Sequence, residues 1–357
     1  MKLDELPTPA LVVDLDRLER NIERMADKAR QLGVRLRPHV KTHKCLEIGR
    51  MQLAAGASGI TVSTLAEARV FSEGGFDDIT WAFPIIPGRC EEAAALADGI
   101  SFGVVVDSSE AVTALATVHF PFKTWIKVDC GYHRAGVAPN GDELGQVALA
   151  ISEAGLRFAG LLSHSGNAYE VATEHGRAAV AETERATLVQ ASTRLATMGI
   201  EVPDLSVGST PAMMAVRSLE GVTEARPGNY TYFDRMQVGL GSCTLADCAV
   251  SVLSTVVSTA AEHSVCDAGA LALSQDAGAE DGSMGDVWSD YDGDQLHPRL
   301  RVVSLSQEHG KLSSAVPVGT RLRILPNHSC LTAACFGTIH AVRGEEVEAS
   351  WRVWNER

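Results

Sequence analysis

The chain lacks the features by which proteins bind nucleic acids or cross membranes. Its 31 lysine and arginine residues are outnumbered by 45 aspartate and glutamate residues, which gives a formal net charge of −14. Phosphate backbones and anionic lipid surfaces require a basic face, so the charge balance argues against both as partners. No apolar stretch reaches the roughly 20 residues that span a bilayer, and the N-terminus lacks a signal peptide's apolar core. We therefore expect a soluble, cytoplasmic protein of enzyme size whose partner is a small molecule.

Two further patterns are missing from the sequence. The eight cysteines are scattered over 357 residues, which is typical of reduced cytoplasmic thiols and not of a disulfide framework. A glycine-rich phosphate turn after the first strand, which a doubly wound nucleotide-binding sheet requires, is also absent. The sequence therefore favours another α/β architecture.

Short strand-like segments alternate with helical segments over the first two thirds of the chain. The pattern opens with a strand at 8–14 and a helix introduced by Asp16 and Glu19, and its longest helix spans 171–198 and ends at Gly199. Eight further strands are predicted at 34–37, 59–62, 79–83, 102–106, 124–128, 158–162, 205–207 and 223–226. This alternation predicts a (β/α)8 TIM-type barrel.

The sequence changes character after about residue 240, where helical periodicity becomes weak. Strands are predicted at 250–257, 300–305 and 321–325, and a hairpin at 338–342 and 347–353, while the Gly/Asp-rich stretch at 277–293 is predicted to be a surface loop. We therefore predict two domains. The barrel occupies 9–240, and a smaller all-β domain occupies 241–357 together with residues 1–8.

A basic segment follows the first predicted barrel strand, with the sequence Arg-Pro-His-Val-Lys-Thr-His-Lys at 37–44. A lysine at a strand end beside other cationic groups loses its proton more easily and can act as an amine nucleophile toward an aldehyde. The alternative is a solvated basic loop, since charge runs usually lie at the surface. Lys41 is the candidate nucleophile.

Small residues follow the last two predicted barrel strands. Gly208, Ser209 and Thr210 follow one strand, and Gly228 and Asn229 follow the other. Each segment alone is typical of an ordinary turn, but the late strands of such barrels often bind phosphate through backbone N–H groups. A lysine nucleophile together with a phosphate cradle is the arrangement that pyridoxal 5'-phosphate (PLP) requires.

Five motifs together resemble the D-serine dehydratase/D-threonine aldolase family, a group of alanine-racemase-like PLP enzymes of fold-type III. The motifs are Thr-Pro-Ala at 8–10, Pro-His-Val-Lys-Thr-His-Lys at 38–44, His-Arg-Ala-Gly at 133–136, Arg-Pro-Gly at 226–228 and Pro-Asn-His-Ser-Cys at 326–330. The resemblance extends from residue 8 to about residue 335. It implies a PLP-binding barrel, a lyase that acts on D-β-hydroxy amino acids, and a homodimer.

The resemblance also implies roles for individual residues. Lys41 would bind the cofactor covalently, Arg134 would contact its ring oxygen, and Tyr169 would stack near its ring. Arg226 would approach the pyridine nitrogen. The phosphate would be held by the remaining predicted cofactor-binding residues, Ser209, Thr210, Gly228 and Asn229. Family patterns often carry threonine at the position of Asn229, and a backbone N–H contact would survive that difference.

A histidine and a cysteine two positions apart, His328 and Cys330, form a second candidate site. By itself such a pair is a poor metal signature, because structural zinc sites have four ligands and a buried cysteine usually belongs to the core. The resemblance implies that this pair binds a divalent metal beside the cofactor. Thiolate and imidazole ligands favour Zn2+ over harder ions, with Mn2+ as another divalent candidate.

Two reactions fit the resemblance. A dehydratase would convert D-serine, D-threonine or D-3-hydroxyaspartate to a keto acid and ammonia, with Lys41 removing the α-proton. An aldolase would cleave the Cα–Cβ bond to give glycine and an aldehyde, with His164 or a hydroxide on the metal as base. The soft ligand Cys330 favours the dehydratase. The alternative for His164 is a structural role, as a histidine at a strand end whose hydrogen-bonding groups are all paired.

Two other classes stay open. An amino-acid racemase needs a second base, commonly a tyrosine from a partner subunit, and Tyr291 is the sole tyrosine of the predicted β domain. A non-catalytic PLP carrier protein resembles the barrel but is usually a single domain, so the β domain and the His–Cys pair argue against it.

Overall fold

The chain forms two compact units, each assembled from segments that are separate in sequence. The computed structural model describes residues 1–278, 281–289 and 295–356. The barrel unit contains Met25–Lys41 and Gln52–Gly228. The β unit contains Met1–Arg24, Thr42–Met51 and Asn229–Asn355. Tyr291 and part of the predicted 277–293 loop lie outside the described residues.

The described residues contain strands and helices in the following chain order. The strands are β1 (Ala10–Asp14), β2 (Arg35–Leu36), β3 (Ile60–Val62), β4 (Asp78–Pro84), β5 (Ser101–Val106), β6 (Lys123–Lys127), β7 (Arg157–Leu162), β8 (Leu205–Val207), β9 (Glu224–Ala225), β10 (Val250–Thr259), β11 (Ser264–Cys266), β12 (Gly285–Trp288), β13 (Leu296–Leu305), β14 (Gly310–Leu312), β15 (Arg321–Leu325), β16 (Thr338–Arg343) and β17 (Glu346–Arg352). The helices are α1 (Leu15–Gln31), α2 (Leu46–Ala54), α3 (Leu65–Glu73), α4 (Cys90–Ala97), α5 (Ser109–Ala116), α6 (Asp142–Glu153), α7 (Glu174–Thr197), α8 (Thr210–Ala215), α9 (Arg235–Gly239), α10 (Ala270–Leu273) and α11 (Ser329–Ala334).

Eight parallel strands form the sheet of the barrel unit, in the order β2-β9-β8-β7-β6-β5-β4-β3. A parallel bridge between His39 and Thr61 connects the two edges of this sheet, and the Thr61 N–H donates to the Pro38 carbonyl at 2.8 Å. The prediction of a TIM-type barrel is confirmed, and each of its eight predicted strands is present. The carboxyl ends of all eight strands therefore meet at one face, which is where such barrels place their functional groups.

Side-chain caps fix where several barrel helices begin. The Thr64 side chain accepts from the Glu67 N–H at the start of α3, and the Thr173 side chain accepts from the Gly176 N–H at the start of α7. A cap of this kind stabilises a helix by about 1 kcal/mol. Among the described residues, no helix is both long enough and apolar enough to cross a membrane.

The β unit is built on a nine-stranded sheet. Strand β10 pairs with both β11 and β15, so the six antiparallel strands β10, β15, β12, β13, β14 and β11 form a closed ring. Strand β1 continues the sheet by pairing antiparallel with β10 and parallel with β16, and β17 completes it. The prediction of a second, all-β domain is thus confirmed.

Strand β1 corrects one detail of the sequence interpretation, which placed residues 9–14 in the barrel range 9–240. The strand has a hydrogen-bonded partner on each edge within the β unit, and Leu11, Val12 and Val13 are fully buried. The last segment of the β unit also begins at Asn229 rather than near residue 241. An apolar sequence predicts that a strand is buried, but it does not predict which sheet the strand joins.

Candidate active site and metal-binding residues

A cavity of about 320 Å³ opens at the carboxyl face of the barrel. Each wall comes from a different strand end: His39 and Lys41 follow β2, Lys127 ends β6, His164 follows β7 and Arg226 follows β9. The remaining lining residues are Ser63, Ala82, Phe83, Pro84, Arg134, Ala135, Leu162 and Gly208. The fold thus brings four residues named from sequence to one concave site: Lys41, Arg134, His164 and Arg226.

The other predicted cofactor residues of the barrel unit are not among those that line this cavity. Tyr169 lies in a short 3₁₀ turn, Gly166–Glu170, that follows β7. Ser209 is the N-cap of α8, and Thr210 is the first residue of that helix. Gly228 lies two residues after Arg226. Their roles in cofactor binding stay predictions.

Two histidines of the cavity are held in the neutral form. Burial, followed by the charges of Lys41 and Arg226, lowers the pKa of His39 well below its usual value. Burial also lowers the pKa of His164 well below its usual value, with Lys41 and Arg134 contributing. A neutral imidazole has one nitrogen with a lone pair that can accept a proton. His164 Nδ1 lies 2.7 Å from the Gly208 carbonyl, so Nδ1 carries the hydrogen and Nε2 has the lone pair.

Lys127 is a cavity residue that the sequence interpretation missed. Its side chain is buried, and burial together with the charges of Arg226 and Arg134 lowers its pKa to about 8. Perturbed pKa values of this kind concentrate at functional sites. The available signal was a lysine directly after the apolar residues Trp125 and Ile126, at the end of a strand, where barrels carry functional groups.

An aromatic ring supports two of the predicted residues. The Arg134 guanidinium lies 5.1 Å from the centre of the Tyr132 ring, a cation–π distance. The same ring meets the His164 imidazole edge to face, with centroids 6.0 Å apart. Gly166 makes room for it, because a Cβ at that position would lie 2.2 Å from the Tyr132 ring. Tyr132 is a second residue of the site that was not singled out from sequence.

The turn after β8 requires glycine at its first position. Gly208 has φ of +138°, and a Cβ there would lie 2.8 Å from the backbone nitrogen of Arg226. The turn delivers Ser209 to the start of α8, where its hydroxyl accepts from the Ala212 N–H at 3.4 Å and lies 3.2 Å from the Ser165 hydroxyl. Backbone N–H groups at such a turn suit an anion.

His328 and Cys330 lie together in the β unit, where Cys330 belongs to α11 and His328 is its N-cap. His328 Nδ1 is 2.6 Å from an Asp276 carboxylate oxygen, and Cys330 Sγ is 3.3 Å from the Thr42 hydroxyl. Burial opposes ionisation of both groups, but their mutual hydrogen bond and charge outweigh it. The pKa of Cys330 is lowered, and that of His328 is raised to about 10.

The donor chemistry of this pair suits a metal ion. A thiol whose pKa is lowered is ready to act as a thiolate ligand, and a histidine that donates Nδ1–H to a carboxylate presents Nε2 to a metal. Among the residues that the structure describes, no group of three or more His, Cys, Asp or Glu side chains is arranged to hold a metal ion. The pair therefore offers two protein ligands.

Asn229, predicted from sequence as a phosphate ligand, belongs to the β unit. Its side-chain amide donates to Asp234 at 2.6 Å and to Ser329 at 3.0 Å. Asp234 is fully buried and also accepts from the Ser329 backbone N–H at 2.9 Å. Because the Asn229 amide is committed to these contacts, a phosphate contact would use its backbone.

Comparison with known proteins agrees with this geometry. Residues 13–236 match the family described as alanine racemase, N-terminal domain, and residues 249–342 match the putative serine dehydratase domain. The chain belongs to the alanine-racemase-like family that carries a serine dehydratase domain. The first match includes all eight barrel strands, and the second includes β10–β15 and most of β16 in the β unit.

The relatives of this alanine-racemase-like protein include dehydratases and aldolases. D-threo-3-hydroxyaspartate dehydratase of Delftia sp. (strain HT23) is 41% identical over 97% of this chain and 97% of its own. D-serine dehydratase of Dictyostelium discoideum is 34% identical over 96% of this chain and 95% of its own. Both alignments span nearly the full length, so the relationship includes the barrel and the β domain.

Solved structures extend the comparison. Two variants of D-threo-3-hydroxyaspartate dehydratase, in which a histidine and the cysteine two positions after it are separately replaced by alanine, have TM-scores of 0.95 and 0.94 at 40% identity. They cover 99% of this chain and 96% and 98% of their own, and the cysteine variant is metal-free. D-threonine aldolase from Filomicrobium marinum has a TM-score of 0.88 at 30% identity, over 99% and 97% of the two chains.

Proposed function

We propose that the protein is a PLP-dependent lyase that acts on D-β-hydroxy amino acids with the help of a divalent metal, and that it is a dehydratase. The products would be a keto acid and ammonia, and the substrate would be D-3-hydroxyaspartate, D-serine or D-threonine. The observation that carries the proposal is the cavity in which Lys41 lies with two neutral histidines, His39 and His164. The 41% identity to a D-threo-3-hydroxyaspartate dehydratase supports the choice of reaction.

The cavity fits the cofactor in chemistry and in size. Its volume of about 320 Å³ lies at the lower end of the range typical of small-molecule sites. Lys41 supplies a primary amine for the aldehyde, and the cationic side chains of Lys127, Arg134 and Arg226 surround the space where an anionic cofactor would bind. The glycine-dependent turn at Gly208 lines the same cavity and leads to Ser209 and Thr210 at the start of α8.

The family resemblance supports a role for each of these residues. Lys41 would hold the cofactor, Arg134 would contact the ring oxygen, and Arg226 would face the pyridine nitrogen. The phosphate would be held by Ser209, Thr210, Gly228 and the backbone of Asn229, and Tyr169 would pack near the ring. When bound, PLP withdraws electrons from the bonds at the substrate α-carbon.

The protein's own groups would manage the protons. Lys41 Nζ would remove the α-proton, because it is the amine that the substrate amine displaces. His164 would accept or return a proton at Nε2, since its Nδ1 hydrogen is engaged by the Gly208 carbonyl. Arg134, supported by the Tyr132 ring, would orient the bound molecules electrostatically.

His328 and Cys330 would hold the metal. A soft thiolate and an imidazole favour zinc, and a divalent cation at these ligands would act as a Lewis acid toward a departing hydroxyl group. The matching spacing of the histidine and cysteine replaced in the related dehydratase structures, one of them metal-free, supports this assignment.

Retro-aldol cleavage to glycine and an aldehyde is the second candidate. The neutral His164 at the cavity wall supports it, because cleavage requires a base for the β-hydroxyl proton. The structural likeness to a D-threonine aldolase supports it as well. A racemase would use a tyrosine as its second base, and the candidate Tyr291 lies outside the described residues.

A product assay tests the proposal. Purified protein loaded with PLP and Zn2+ is incubated with D-3-hydroxyaspartate, D-serine or D-threonine, and keto acid plus ammonia is scored against glycine plus aldehyde. We expect keto acid that is lost on chelation, restored by zinc, and absent in Lys41→Ala. Glycine and aldehyde would instead assign the aldolase. Absence of both products from yellow, cofactor-loaded protein would contradict the lyase assignment.

We also propose that the protein acts as a cytoplasmic homodimer. The support is the family resemblance for the dimer and the eight free cysteines for the reducing compartment. Sedimentation velocity at micromolar concentration is expected to show a species of twice the chain mass of 37.9 kDa. A single monomeric boundary would contradict it.

A further inference from the structure

A buried carboxylate from helix α7 gathers three hydrogen bonds behind the cavity. Glu184 lies near the middle of α7 and is 2% exposed. Its Oε1 accepts from the Ser163 hydroxyl at 2.8 Å and from the Gly208 N–H at 3.1 Å, and its Oε2 accepts from the Ser165 hydroxyl at 2.7 Å. A buried charge is tolerated only when it is hydrogen-bonded in this way.

The three donors surround one cavity residue. Ser163 and Ser165 are the sequence neighbours of His164 on either side. Gly208 donates its N–H to Glu184, and its carbonyl lies 2.7 Å from His164 Nδ1. One carboxylate therefore holds both the segment that carries the imidazole and the residue whose carbonyl the imidazole contacts.

We propose that Glu184 is a positioning residue that holds His164 in the tautomer with hydrogen on Nδ1, leaving the Nε2 lone pair for proton transfer. The hydrogen bonds to Ser163 and Ser165 fix the direction in which the histidine leaves the strand end, and the bond to Gly208 fixes the acceptor for Nδ1–H. The catalytic part of this inference rests on the proposed lyase function, whereas the tautomer can be measured without turnover.

Substitution of Glu184 by glutamine separates the effect of its geometry from the effect of its charge, because the glutamine side chain can form the same contacts without a charge. In Glu184→Gln, the amide oxygen can still accept from Ser163 and Gly208. The amide NH2 can donate to the Ser165 hydroxyl, which can then donate to the Ser209 hydroxyl 3.2 Å away. Glu184→Ala removes all three acceptors. A second disruptive variant, Ser163→Ala with Ser165→Ala, leaves the carboxylate in place but releases two of its three contacts.

The experiment measures the His164 tautomer and the kinetics in the PLP- and zinc-loaded enzyme. Two-dimensional 15N–1H correlation of 15N-histidine protein reports the tautomer, and His164→Gln identifies the signal. We expect the Nδ1–H form in the wild type and in Glu184→Gln. Glu184→Ala and the double serine variant should show mixed tautomers and a loss of about 100-fold in kcat, the scale of one acid–base group, with KM changed less than kcat.

Asp267 provides a matched control in the β unit. Its carboxylate also accepts three hydrogen bonds, from Thr8, Ser254 and the Thr255 N–H. Asp267→Ala should leave the His164 signal and kcat unchanged. A pure Nδ1–H signal with wild-type kcat in a folded Glu184→Ala or double serine variant would overturn the proposal. Loss of the Nδ1–H form in Glu184→Gln would show that charge, not geometry, sets the tautomer and would equally overturn it.

The outcomes separate this inference from the lyase assignment. If the wild-type enzyme releases none of the expected products but Glu184→Ala still changes the His164 tautomer, the positioning role stands and the lyase assignment fails. If the enzyme turns over but the tautomer and kcat are insensitive to Glu184, the lyase assignment stands and the positioning role fails.

Discussion

Removing the charge of Lys127 is expected to stabilise the cofactor-free protein at neutral pH. The pKa of Lys127 falls from 10.5 to about 8 in the folded chain, first because it is buried and then because Arg226 and Arg134 repel its charge. Each pKa unit corresponds to about 1.4 kcal/mol, so a charged Lys127 costs the folded state about 3 kcal/mol. Lys127→Met removes that cost and keeps much of the side chain's apolar contact.

The lowered pKa of Lys127 determines how the stability difference between the two proteins changes with pH. Below pH 8 the lysine is charged in both the folded and the unfolded chain, and the full cost is present. Between about pH 8 and 10.5 the folded chain has lost the proton that the unfolded chain still binds, so the wild type gains stability as pH rises. The stability advantage of Lys127→Met should therefore shrink by up to about 3 kcal/mol over that interval.

Urea unfolding of both proteins at pH 7, 8, 9 and 10 tests the expectation. The difference in unfolding free energy between them isolates Lys127, because the other titrating groups are common to both. Lys123→Met, at the other end of the same strand β6, controls for the loss of a lysine from this strand. A stability difference that stays constant from pH 7 to pH 10 would refute the reasoning.

Three further outcomes are expected from the geometry. Gly208→Ala places a Cβ 2.8 Å from the Arg226 backbone nitrogen. The shift needed to relieve this contact costs about 1–3 kcal/mol, so PLP affinity measured by absorbance titration should fall about 5- to 150-fold. Unchanged affinity would exclude the turn from the phosphate site. Tyr132→Leu removes the ring beside Arg134 and should lower kcat/KM by about tenfold, whereas Tyr132→Phe should retain the wild-type value. Equal losses in the two variants would implicate the hydroxyl group instead of the ring. Asp276→Asn weakens the hydrogen bond to His328 and should lower zinc affinity by about 10- to 100-fold. Competition with a chelator measures this affinity. A wild-type zinc affinity in the variant would show that the Asp276 carboxylate does not act on a metal ligand.

The barrel and its nucleophile candidate could be predicted because both depend on local sequence. Strand and helix periodicity marked all eight barrel strands, and in a parallel barrel the strand ends must converge at one face. Lys41, Arg134 and His164 each follow a predicted strand, so their meeting at one cavity followed from topology. The bridge between His39 and Thr61, which connects the two edges of the barrel sheet, could be identified only from the folded backbone.

The residues that sequence could not supply depend on packing between distant segments. Glu184 is a buried residue of a long helix that also carries exposed charged residues, and its partners come from two strand ends. Strand β1 has the same apolar pattern in either sheet, and only its partners decide its domain. Lys127 was missed because the sequence does not distinguish a buried lysine at a strand end from an exposed one.

The location of β1 sets an order of events during synthesis. The strand lies between β10 and β16, so it waits for partners that are made after all eight barrel strands. At 5–20 residues per second, its β16 partner near Ile339 is made roughly 15–65 s later. The barrel strands can pair with neighbours made shortly before them, whereas Ala10–Asp14 stays an apolar strand with open edges. A chain that ends between β9 and β10 would contain all eight barrel strands but neither partner of β1, and its unpaired apolar strand would be a site for aggregation.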